Sequence, residues 1–556
     1  MFSVIFEDTV VRVIATMSVA IIAVSWLIKK SRTPPWPPGP LGLPVLGNLL
    51  SIEPDFHRYC AKLSQVYGPI FKLKLGSKIC IHISSPSLAK QILKDQDAIF
   101  ANRDPPASAL VTSYGLHDIV WMPNGPEWRQ LRKVFVREMM SSLNLDDCAL
   151  RRAEVREMVK EVYKKVGSPI NLGEQMFLAI LNVVMNMLWG SSLHGEERSS
   201  VGVEFRQVVG EIVEMLGKPN ISDLFPTLAW LDLQGIESKT KKLVLWFDRI
   251  FDSVIVQRMK IDAAKGQISK QNEENKDFLH FLLELKQQGE DKTSLSMTQI
   301  KGLLLDTVLG GTDTTSTTLE WAMAEMLQHS EIMRKVQQEL DEVVGNGSIV
   351  EESHIPKLHF LQSVVKETLR LHPPLPLLVP HCPVESCTVG GYTIPKGSRV
   401  FVNVWSMHRD PEAWQNPLEF HPERFLKELG KFEYQGTNFR YLPFGSGRRI
   451  CAGISLAEKM VAYVLATLLH SFEWELPQAM SLDFAEKFGI VLKKSDPLVA
   501  IPTARLSTPE LLPLMGVDLF LILDYCCFFA DCYVIFTFEQ VCYVIFRTII
   551  RDFTNQ

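Results

Sequence analysis

A cysteine in a glycine-rich loop is the residue of this sequence best placed to perform chemistry. Cys451 lies in the stretch Phe444–Gly453, directly before a helical pattern over residues 454–469. Glycines let a backbone take positive φ and approach a flat ligand closely. The helix N-terminus behind the cysteine, together with Arg448 and Arg449, favours a thiolate. A thiolate surrounded by loop N–H groups suits haem iron, and the simpler alternative is a turn that buries an ordinary thiol.

A carboxylate and a hydroxyl form a second reactive group inside a long helical pattern over residues 297–327. Gly310 and Gly311 precede them, and a glycine inside a helix costs about 1 kcal/mol relative to alanine. Such a cost indicates a widened groove over a bound ligand. Asp313 and Thr314 can relay protons to that groove, which is a general-acid role. The local alternative is a threonine hydroxyl that bonds back to the carbonyl of the preceding turn.

A third motif pairs opposite charges on one helix. Glu367 and Arg370 are three positions apart, so they share a helix face and can form an ion pair. A buried arginine requires such a partner. An ordinary exposed ion pair is the alternative interpretation of the same spacing.

Helices dominate the elements that must position these groups. Helical patterns cover most of residues 55–380, including the runs 145–165, 297–327 and 330–344. Strand-like pieces are fewer and lie at residues 70–75, 79–83 and 400–404. The polar stretch 260–276 is predicted to be a solvated loop. No change of composition divides residues 41–506, so the sequence predicts one domain that is mainly α with a small β portion.

Residues 1–33 are predicted to anchor the chain in a membrane. Residues 13–28 carry no charge, and with the two preceding valines they span roughly 28 Å as a helix, about one bilayer core. Three basic residues follow the segment, which favours an uncleaved anchor over a signal peptide and places the rest of the chain in the cytosol. The proline-rich stretch 34–40 is expected to form a stiff spacer at the start of the next domain.

Charge and cysteine use exclude other classes of protein. Lys plus Arg total 58 against 63 for Asp plus Glu, a net charge of −5, so the basic excess of a nucleic-acid binder is missing. The ten cysteines form no CxxC pair and have no zinc-ligand spacing with histidine. Any one of them, taken alone, is predicted to be a reduced, buried thiol.

Taken together, the motifs resemble those of the cytochrome P450 superfamily. The loop matches the pattern F-x-x-G-x-R-x-C-x-G at Phe444, Gly447, Arg449, Cys451 and Gly453. Further matches are Trp128 and Arg132 to W-x-x-x-R, residues 310–315 to A/G-G-x-D/E-T-T, 367–370 to E-x-x-R and 422–425 to P-E-R-F. The resemblance covers about nine tenths of the chain. It implies a cytochrome P450 fold behind an N-terminal transmembrane helix.

The resemblance implies a role for each of these residues around haem b. Cys451 is expected to be the axial thiolate ligand of the iron, and Asp313 and Thr314 are expected to deliver protons. The residues expected to bind the cofactor are Trp128, Arg132, His381, Phe444, Gly447, Arg449 and Gly453. Those expected at the haem propionates are Trp128, Arg132, His381 and Arg449, where a histidine at 381 departs from the arginine of many members. Arg424 is expected to join Glu367 and Arg370 in a structural network.

The same resemblance implies a haem-thiolate monooxygenase that depends on a partner for electrons. No flavin motif and no G-x-G-x-x-G after a strand is present, so an NADPH–cytochrome P450 reductase is the expected partner. Arg129, Lys133 and Arg137 are spaced to share one helix face where that reductase could dock. The expected location is the endoplasmic reticulum membrane, with a single span and the catalytic domain in the cytosol.

The substrate is expected to be an apolar small molecule that reacts with O2. The predicted pocket residues are Leu305, Leu309, Leu377, Leu378 and Ile490, and they favour a terpene or simple aromatic compound. Two carboxylates, Asp118 and Asp306, interrupt the substrate-facing stretches. Residues 114–121 and 136–139 resemble plant enzymes that hydroxylate sesquiterpene hydrocarbons, such as the δ-cadinene hydroxylases. A sesquiterpene of plant specialised metabolism is therefore expected, with flavonoids and monoterpene alcohols as alternatives.

Two other kinds of haem protein are the remaining alternatives. One binds haem without oxidising a substrate, and the other rearranges peroxides without O2 or a reductase. Binding alone needs no proton relay, and the second kind tends to lack the helix threonine. Thr314 beside Asp313 therefore favours a monooxygenase.

Residues 507–556 depart from the family pattern, which ends shortly after a last strand-like piece near residue 502. This tail contains the sequence CYVIF twice, at 532–536 and 542–546. Acidic residues interrupt its apolar runs, so no charge-free stretch approaches the ~18 residues of a spanning helix. We expect the tail to lie outside the functional fold. Its deletion should then leave haem content and turnover intact, and collapse of the haem spectrum would contradict this.

Overall fold

The computed structural model describes residues 17–18, 34–141, 145, 149–265, 277–288, 295–427, 430–478 and 480–506. The predicted anchor, apart from residues 17–18, and the whole of the tail at 507–556 lie outside the described residues. Up to Arg505 the described chain forms one unit. The fold is mainly helical with small sheets, as the sequence predicts.

Helices of very different lengths form most of the described chain. In chain order they are α1 (Phe56–Tyr67), α2 (Pro86–Lys90), α3 (Asp97–Phe100), α4 (Ala107–Thr112), α5 (Pro126–Glu138), α6 (Ala149–Tyr163), α7 (Leu172–Trp189), α8 (Gly195–Gly217), α9 (Ile221–Leu224), α10 (Ile236–Lys265), α11 (Phe278–Gln288), α12 (Met297–Gln328), α13 (Ser330–Val343), α14 (His359–Leu371), α15 (Val404–Met407), α16 (Glu423–Leu426) and α17 (Ile454–Ser471). A π-turn at Gln91–Asp95 and 3-10 turns at Leu49–Ser51, Pro226–Leu231, Glu352–Lys357 and Gly447–Arg449 connect some of them.

The strands are short and pair into small sheets. They are β1 (Ile70–Leu75), β2 (Lys78–Ile83), β3 (Ile170–Asn171), β4 (Cys387–Val389), β5 (Tyr392–Ile394), β6 (Arg399–Val402), β7 (Phe472–Glu475), β8 (Glu486–Lys487), β9 (Lys493–Lys494) and β10 (Val499–Ala504). The sheet β1-β2-β6 joins an antiparallel hairpin to the distant β6, which is parallel to β2. A second sheet has the order β3-β10-β7, and β4-β5 and β8-β9 are two-stranded.

Helix α12 crosses the middle of the unit and packs on α7 and α17. It begins at a capping box, in which Ser296 Oγ accepts from the N–H of Gln299 and Gln299 Oε1 accepts from the N–H of Ser296. Both contacts satisfy N–H groups that a helix start leaves unpaired. The cap fixes the residue at which α12 starts, and therefore the direction in which each side chain of residues 306–314 points.

Most predicted elements lie where the sequence pattern puts them. Helices α12 and α13 match the patterns at 297–327 and 330–344, and β1 and β2 match their strand predictions. The loop prediction for 260–276 is wrong at its start, because α10 continues to Lys265. Lys260 and Ile261 are exposed residues of this helix, and residues 266–276 lie outside the described residues. Among the described helices, α7 is long and apolar enough to cross a membrane, but 83% of it is buried, as in a core helix.

Candidate active site

The loop that carries Cys451 is held in shape by its own backbone. The N–H of Cys451 donates to the carbonyl of Phe444 at 3.0 Å, and the N–H of Gly453 lies 3.3 Å from the sulfur. Gly447 has φ +70°, and a Cβ there would lie 2.0 Å from the carbonyl oxygen of Leu93. Only glycine fits this approach. The sulfur is thereby presented at the start of α17.

The prediction that Arg448 and Arg449 stabilise the thiolate is wrong. Arg448 pairs with Asp97 at 3.3 Å, and Arg449 turns its guanidinium toward backbone carbonyls. Arg132 is the cation near the sulfur instead, and it donates to the carbonyl of Ile450. Desolvation by the surrounding protein raises the pKa of the Cys451 thiol, although the residue keeps accessible surface, while the Gly453 N–H and Arg132 lower it. A coordinated metal cation would supply the remaining stabilisation of the thiolate.

A cluster of cationic side chains lies beside this loop and includes one that the sequence analysis missed. Arg103 is enclosed near Arg132 and Arg449, and burial and the two other guanidinium groups lower its pKa well below the usual value. Arg103 Nη1 donates to the carbonyl of Val379 at 2.5 Å, whereas its buried Nε has no hydrogen-bond partner among the described residues. Asp118 is the carboxylate that offsets these charges. The cluster therefore has an excess of positive charge.

Trp128 and Arg449 stack on each other within the cluster. The guanidinium of Arg449 lies 4.1 Å from the centre of the Trp128 ring, a distance typical of a cation–π contact. Trp128 Nε1 donates to the carbonyl of Ile119 at 3.0 Å, and Arg449 Nε donates to the carbonyl of Ala101 at 2.6 Å. Helix α5 thus brings Trp128 and Arg132 to the Cys451 loop. Trp128 Nε1 and Arg449 Nε, which were expected to bond a cofactor, are therefore already bonded to backbone carbonyls.

His381 is brought to the same cluster by the sheet β1-β2-β6. It bridges to Val400 on β6, and its Nδ1 bonds the carbonyl of Phe100 at 2.8 Å. Burial, followed by the charge of Arg103, lowers the pKa of His381 well below its usual value. The ring is therefore neutral with its proton on Nδ1, and Nε2 is an acceptor. A carboxylate beside Nε2 would have to raise this pKa before the ring could donate to it.

Helix α12 leaves open space beside Gly310, and Thr314 one turn further on keeps accessible surface. Gly310 is exposed although its neighbours Val308 and Thr312 are buried, and a Cβ added there would meet nothing within 4 Å. Cys451 is also accessible to solvent. Its loop leads into α17, which packs on α12. Thr314 Oγ1 donates to the carbonyl of Gly310 at 2.6 Å, which is the back-bonded alternative.

Asp313 does not face that space. Its Oδ1 lies 2.5 Å from the ammonium of Lys493 on β9, and its Oδ2 is buried without a hydrogen-bond partner among the described residues. The sequence placed Asp313 beside Thr314 but gave no sign of Lys493, because 180 residues separate the ion pair.

The Glu367–Arg370 pair at the centre of a charge network is fully buried. Arg370 Nε donates to Glu367 Oε2 at 2.7 Å, and both side chains have zero exposure. Arg424 Nε donates to Glu367 Oε1 at 3.0 Å, so one carboxylate is shared by two guanidinium groups. Arg370 also donates to the carbonyls of His408 and Pro417, each at 2.7 Å. The three residues join α14 to the segment around α16, which the spacing of Glu367 and Arg370 alone could not indicate.

The predicted pocket residues divide by exposure. Leu305 and Leu377 are buried in the body, at 1% and 5% exposure. Leu309, Leu378 and Ile490 keep partly accessible surfaces. A Cβ added at Gly217 would lie 2.4 Å from the backbone N of Ile490, so the turn before β9 closes tightly on the end of α8. A Cβ added at Gly445 of the cysteine loop would lie 3.7 Å from Leu378 Cδ1, so Leu378 lies next to this loop.

These residues fit the haem group implied by the sequence. One sulfur is available to iron, and the arginine cluster, with its orphaned Arg103 Nε, has unmatched positive charge for two propionates. Gly310 leaves open space beside helix α12. A flat dianionic cofactor would satisfy all three features.

Comparisons with known proteins agree with this arrangement. A family profile described as "Cytochrome P450" matches residues 37–501. A flavonoid 3'-monooxygenase of Crocosmia x crocosmiiflora is 39% identical over 490 residues, which cover 86% of this chain and 94% of that protein. The flavonoid 3'-monooxygenase of Petunia hybrida is 39% identical over 483 residues (85% and 93%). The flavonoid 3',5'-hydroxylase of Solanum melongena is 40% identical over 476 residues (85% and 91%).

Solved structures show the same fold. A zebra fish cytochrome P450 with abiraterone has a TM-score of 0.67 and 27% identity, covering 81% of this chain and 99% of that chain. A structure with progesterone has a TM-score of 0.69 and 27% identity (80% and 99%). The similar relatives are named for flavonoids, so the sesquiterpene expectation drawn from residues 114–121 and 136–139 is not supported. The flavonoid alternative is favoured over it.

Proposed function

This chain belongs to the cytochrome P450 family, and from that premise we propose that it hydroxylates a flavonoid, with Cys451 as the ligand of the haem iron. The family binds haem through a cysteine thiolate, and the similar relatives are named as monooxygenases or hydroxylases. The balanced reaction is substrate plus O2, two electrons and two protons, giving hydroxylated product plus water.

The flavonoid proposal rests on the names of the relatives. Three of them share 39% or 40% identity across about 85% of this chain and are named flavonoid monooxygenases or hydroxylases. The partly accessible Leu309, Leu378 and Ile490 offer apolar surface to aromatic rings. A flavonoid also carries polar groups, which a sesquiterpene hydrocarbon does not.

Each residue of the site has a definite task in this proposal. When bound, haem supplies the activation of O2. Cys451 donates electron density from sulfur, and the Gly453 N–H tunes that donation by its contact at 3.3 Å. Arg103, Arg132 and Arg449 would hold the carboxylates of the cofactor by their positive charge. Thr314 holds a hydroxyl at the open face of α12, where a proton must pass.

Electron supply is assigned to a separate reductase that docks on α5. Arg129, Lys133 and Arg137 are exposed on one face of that helix, whose opposite face carries the buried Trp128. Lys133→Glu should slow turnover supported by the reductase and leave turnover supported by peroxide unchanged. Equal loss in both assays would contradict docking at this face.

Membrane attachment is proposed at two places. The first is the apolar segment within residues 1–33. The second is an exposed apolar surface formed by Leu41, Leu43, Val45 and Leu50 together with Leu228, Trp230, Leu231 and Leu233. The two parts of this surface meet at the β1–β2 turn, where Gly76 N–H donates to Leu46 O and Ser77 N–H donates to Leu224 O. A chain lacking residues 1–33 should therefore still float with lipid vesicles, and full solubility would contradict the second contact.

The decisive experiment is product analysis with microsomes that contain this protein and a plant reductase. The panel should include a flavanone, a flavone, a flavonol, a monoterpene alcohol and a sesquiterpene hydrocarbon. Hydroxylated flavonoids support the proposal, and turnover of the terpenes alone would overturn it. Cys451→Ser should abolish the Soret band of the reduced carbon-monoxide complex, and survival of that band would refute the ligand assignment.

A further inference from the structure

We propose that Asp118 and Asp306 share one proton, and that this carboxyl pair positions the loop of residues 113–122 on helix α12 beside the cofactor site. The proposal does not depend on the identity of the substrate. It gives a role to the two carboxylates that interrupt the apolar stretches of the predicted pocket.

The backbone of the loop is bonded to both carboxyl groups. The N–H of Ile119 donates to Asp306 Oδ2 at 2.9 Å. The N–H groups of Trp121 and Met122 donate to Asp118 Oδ1 at 3.0 and 2.9 Å. Asp118 has zero exposure, so its second carboxyl oxygen has little access to water. The two acids therefore hold the backbone of the loop at Ile119, Trp121 and Met122.

Glycine at position 302 lets the loop lie directly on the helix. A Cβ at Gly302 would come within 2.4 Å of the carbonyl oxygen of His117. Asp306 is one turn further along α12, so it meets the next part of the loop. The two acids thus bind backbone N–H groups only two or three residues apart on the loop, and their carboxyl groups are hydrogen-bond partners.

Asp118 is buried and Asp306 is partly buried, so two charges on hydrogen-bonded carboxyl groups would be poorly screened and would repel each other. Burial, and then the charge of Asp118, raises the pKa of Asp306 well above its usual value. Burial also raises the pKa of Asp118, but the N–H groups of Trp121 and Met122 and the charge of Arg449 oppose that shift. The proton therefore resides on Asp306, which donates it to an ionised Asp118.

In the described part of the chain, two arginines are the other charged groups that interact with the pair, and both interact with Asp118. Arg449 and Arg103 face it from the cysteine loop and from the segment after α3. His117, on the loop itself, lies 3.9 Å from Glu127. Lys301 on α12 is committed to Asp248 and Asp252 on α10 at 2.9 and 2.8 Å. Among the described residues, Asp118 is the charged group that shifts Asp306.

The loop in turn positions the residues assigned to the cofactor carboxylates. The carbonyl of Ile119 accepts from Trp128 Nε1 at 3.0 Å and from Arg449 Nη1 at 3.2 Å. The carbonyl of Met122 accepts from Arg449 Nη2. Asp118 and Asp306 are positioning residues, because they act on Trp128 and Arg449 through the loop backbone.

The sign of the pH dependence follows from the raised pKa of Asp306. When the loop opens, water reaches Asp306 and its pKa returns to about 4. Opening therefore releases a proton, so it becomes about tenfold easier for each pH unit between that value and the raised pKa. Loop protection should be greatest in acid and should fall as pH rises, until the proton is lost from the closed state as well.

Hydrogen exchange of the full-length holoprotein tests this directly. The exchange of the amides of Ile119, Trp121 and Met122 should be followed by mass spectrometry from about pH 6.5 to about pH 8, above the pKa of Asp118, and corrected for intrinsic rates. Amides of the β1–β2 hairpin serve as the internal reference. In the wild type, the protection of the loop should fall by up to about tenfold per pH unit.

Asp306→Asn should remove that slope, because an amide keeps a donor for Asp118 and an acceptor for Ile119 but cannot ionise. Asp118→Asn is the second variant, in case the first does not bind haem. Asp248→Asn is the control, because Asp248 holds the same loop through Tyr114 Oη at 3.0 Å but lies outside the pair. It should keep the wild-type slope. A flat wild-type profile, or an Asn variant with the wild-type slope, would overturn the proposal.

Discussion

The ammonium of Lys493 lies 2.5 Å from Oδ1 of Asp313 and ties the β8–β9 hairpin to the middle of helix α12. Thr314, the next residue, instead bonds the carbonyl of Gly310 at the open face of the helix. Two neighbours that the sequence groups for proton delivery therefore have different partners. Substitutions at Thr314 and at the Lys493 contact should accordingly affect different steps.

Thr314→Ala should retain haem but divert electrons to peroxide, because the open face of α12 loses its hydroxyl. We expect product formed per NADPH to fall on the order of ten- to hundredfold, as on loss of a positioned proton donor. Product and hydrogen peroxide should be measured together. Thr312→Ala is the matched control, because Thr312 makes the same back-bond to Val308 at 2.7 Å but is fully buried. Unchanged coupling in Thr314→Ala would count against the relay.

Lys493→Met should weaken substrate binding while haem content stays normal. The hairpin that holds Ile490 loses its ion pair to α12, so the wall it forms becomes less well fixed. A rise in Kd on the order of tenfold is expected in spectral titrations with a flavonoid. Lys487→Met is the control, since Lys487 is an exposed residue of the same hairpin, 3.5 Å from Glu214. Equal effects of both substitutions would show that the Asp313 contact is not responsible.

Arg103→Met should accelerate the loss of haem. The substitution removes the guanidinium whose Nε has no hydrogen-bond partner among the described residues, and with it a charge-assisted bond to a cofactor carboxylate. Transfer of haem to an acceptor protein should become roughly tenfold or more faster. Arg448→Met provides the comparison, because Arg448 is in the cysteine loop but pairs with Asp97 at the surface. If the two variants release haem equally fast, Arg103 does not hold the cofactor.

Glu367→Gln should destabilise the protein by about 3 to 5 kcal/mol, because it leaves the buried Arg370 and the partly buried Arg424 beside a neutral amide. Urea unfolding followed by far-UV circular dichroism measures the change. Glu157→Gln alters a half-buried pair with the same i,i+3 spacing, to Lys160 at 3.4 Å, where solvent screens the charges, and should cost less than about 1 kcal/mol. A small change in Glu367→Gln would mean that burial does not determine the strength of this network.

Much of the site could be predicted from short stretches of sequence. The cysteine loop, the E-x-x-R spacing and the glycines of α12 are each contained within about ten residues. Local rules of φ, helix periodicity and charge spacing apply over such distances. The substrate class was predicted less well, because the sesquiterpene resemblance depended on two short segments, whereas the flavonoid relatives match along most of the chain.

The sequence by itself determined which residues could ligate, donate protons or pair, because these properties belong to side-chain types and to spacing along one helix or loop. Only the tertiary structure decided where Arg449 points, that Arg103 joins the cationic cluster, and that Asp313 meets Lys493. Each of these contacts joins residues far apart in the chain, and burial then sets its strength. Asp118 and Asp306, unremarkable as two separate acids, become the proposed proton-sharing pair because folding places both in one poorly screened site.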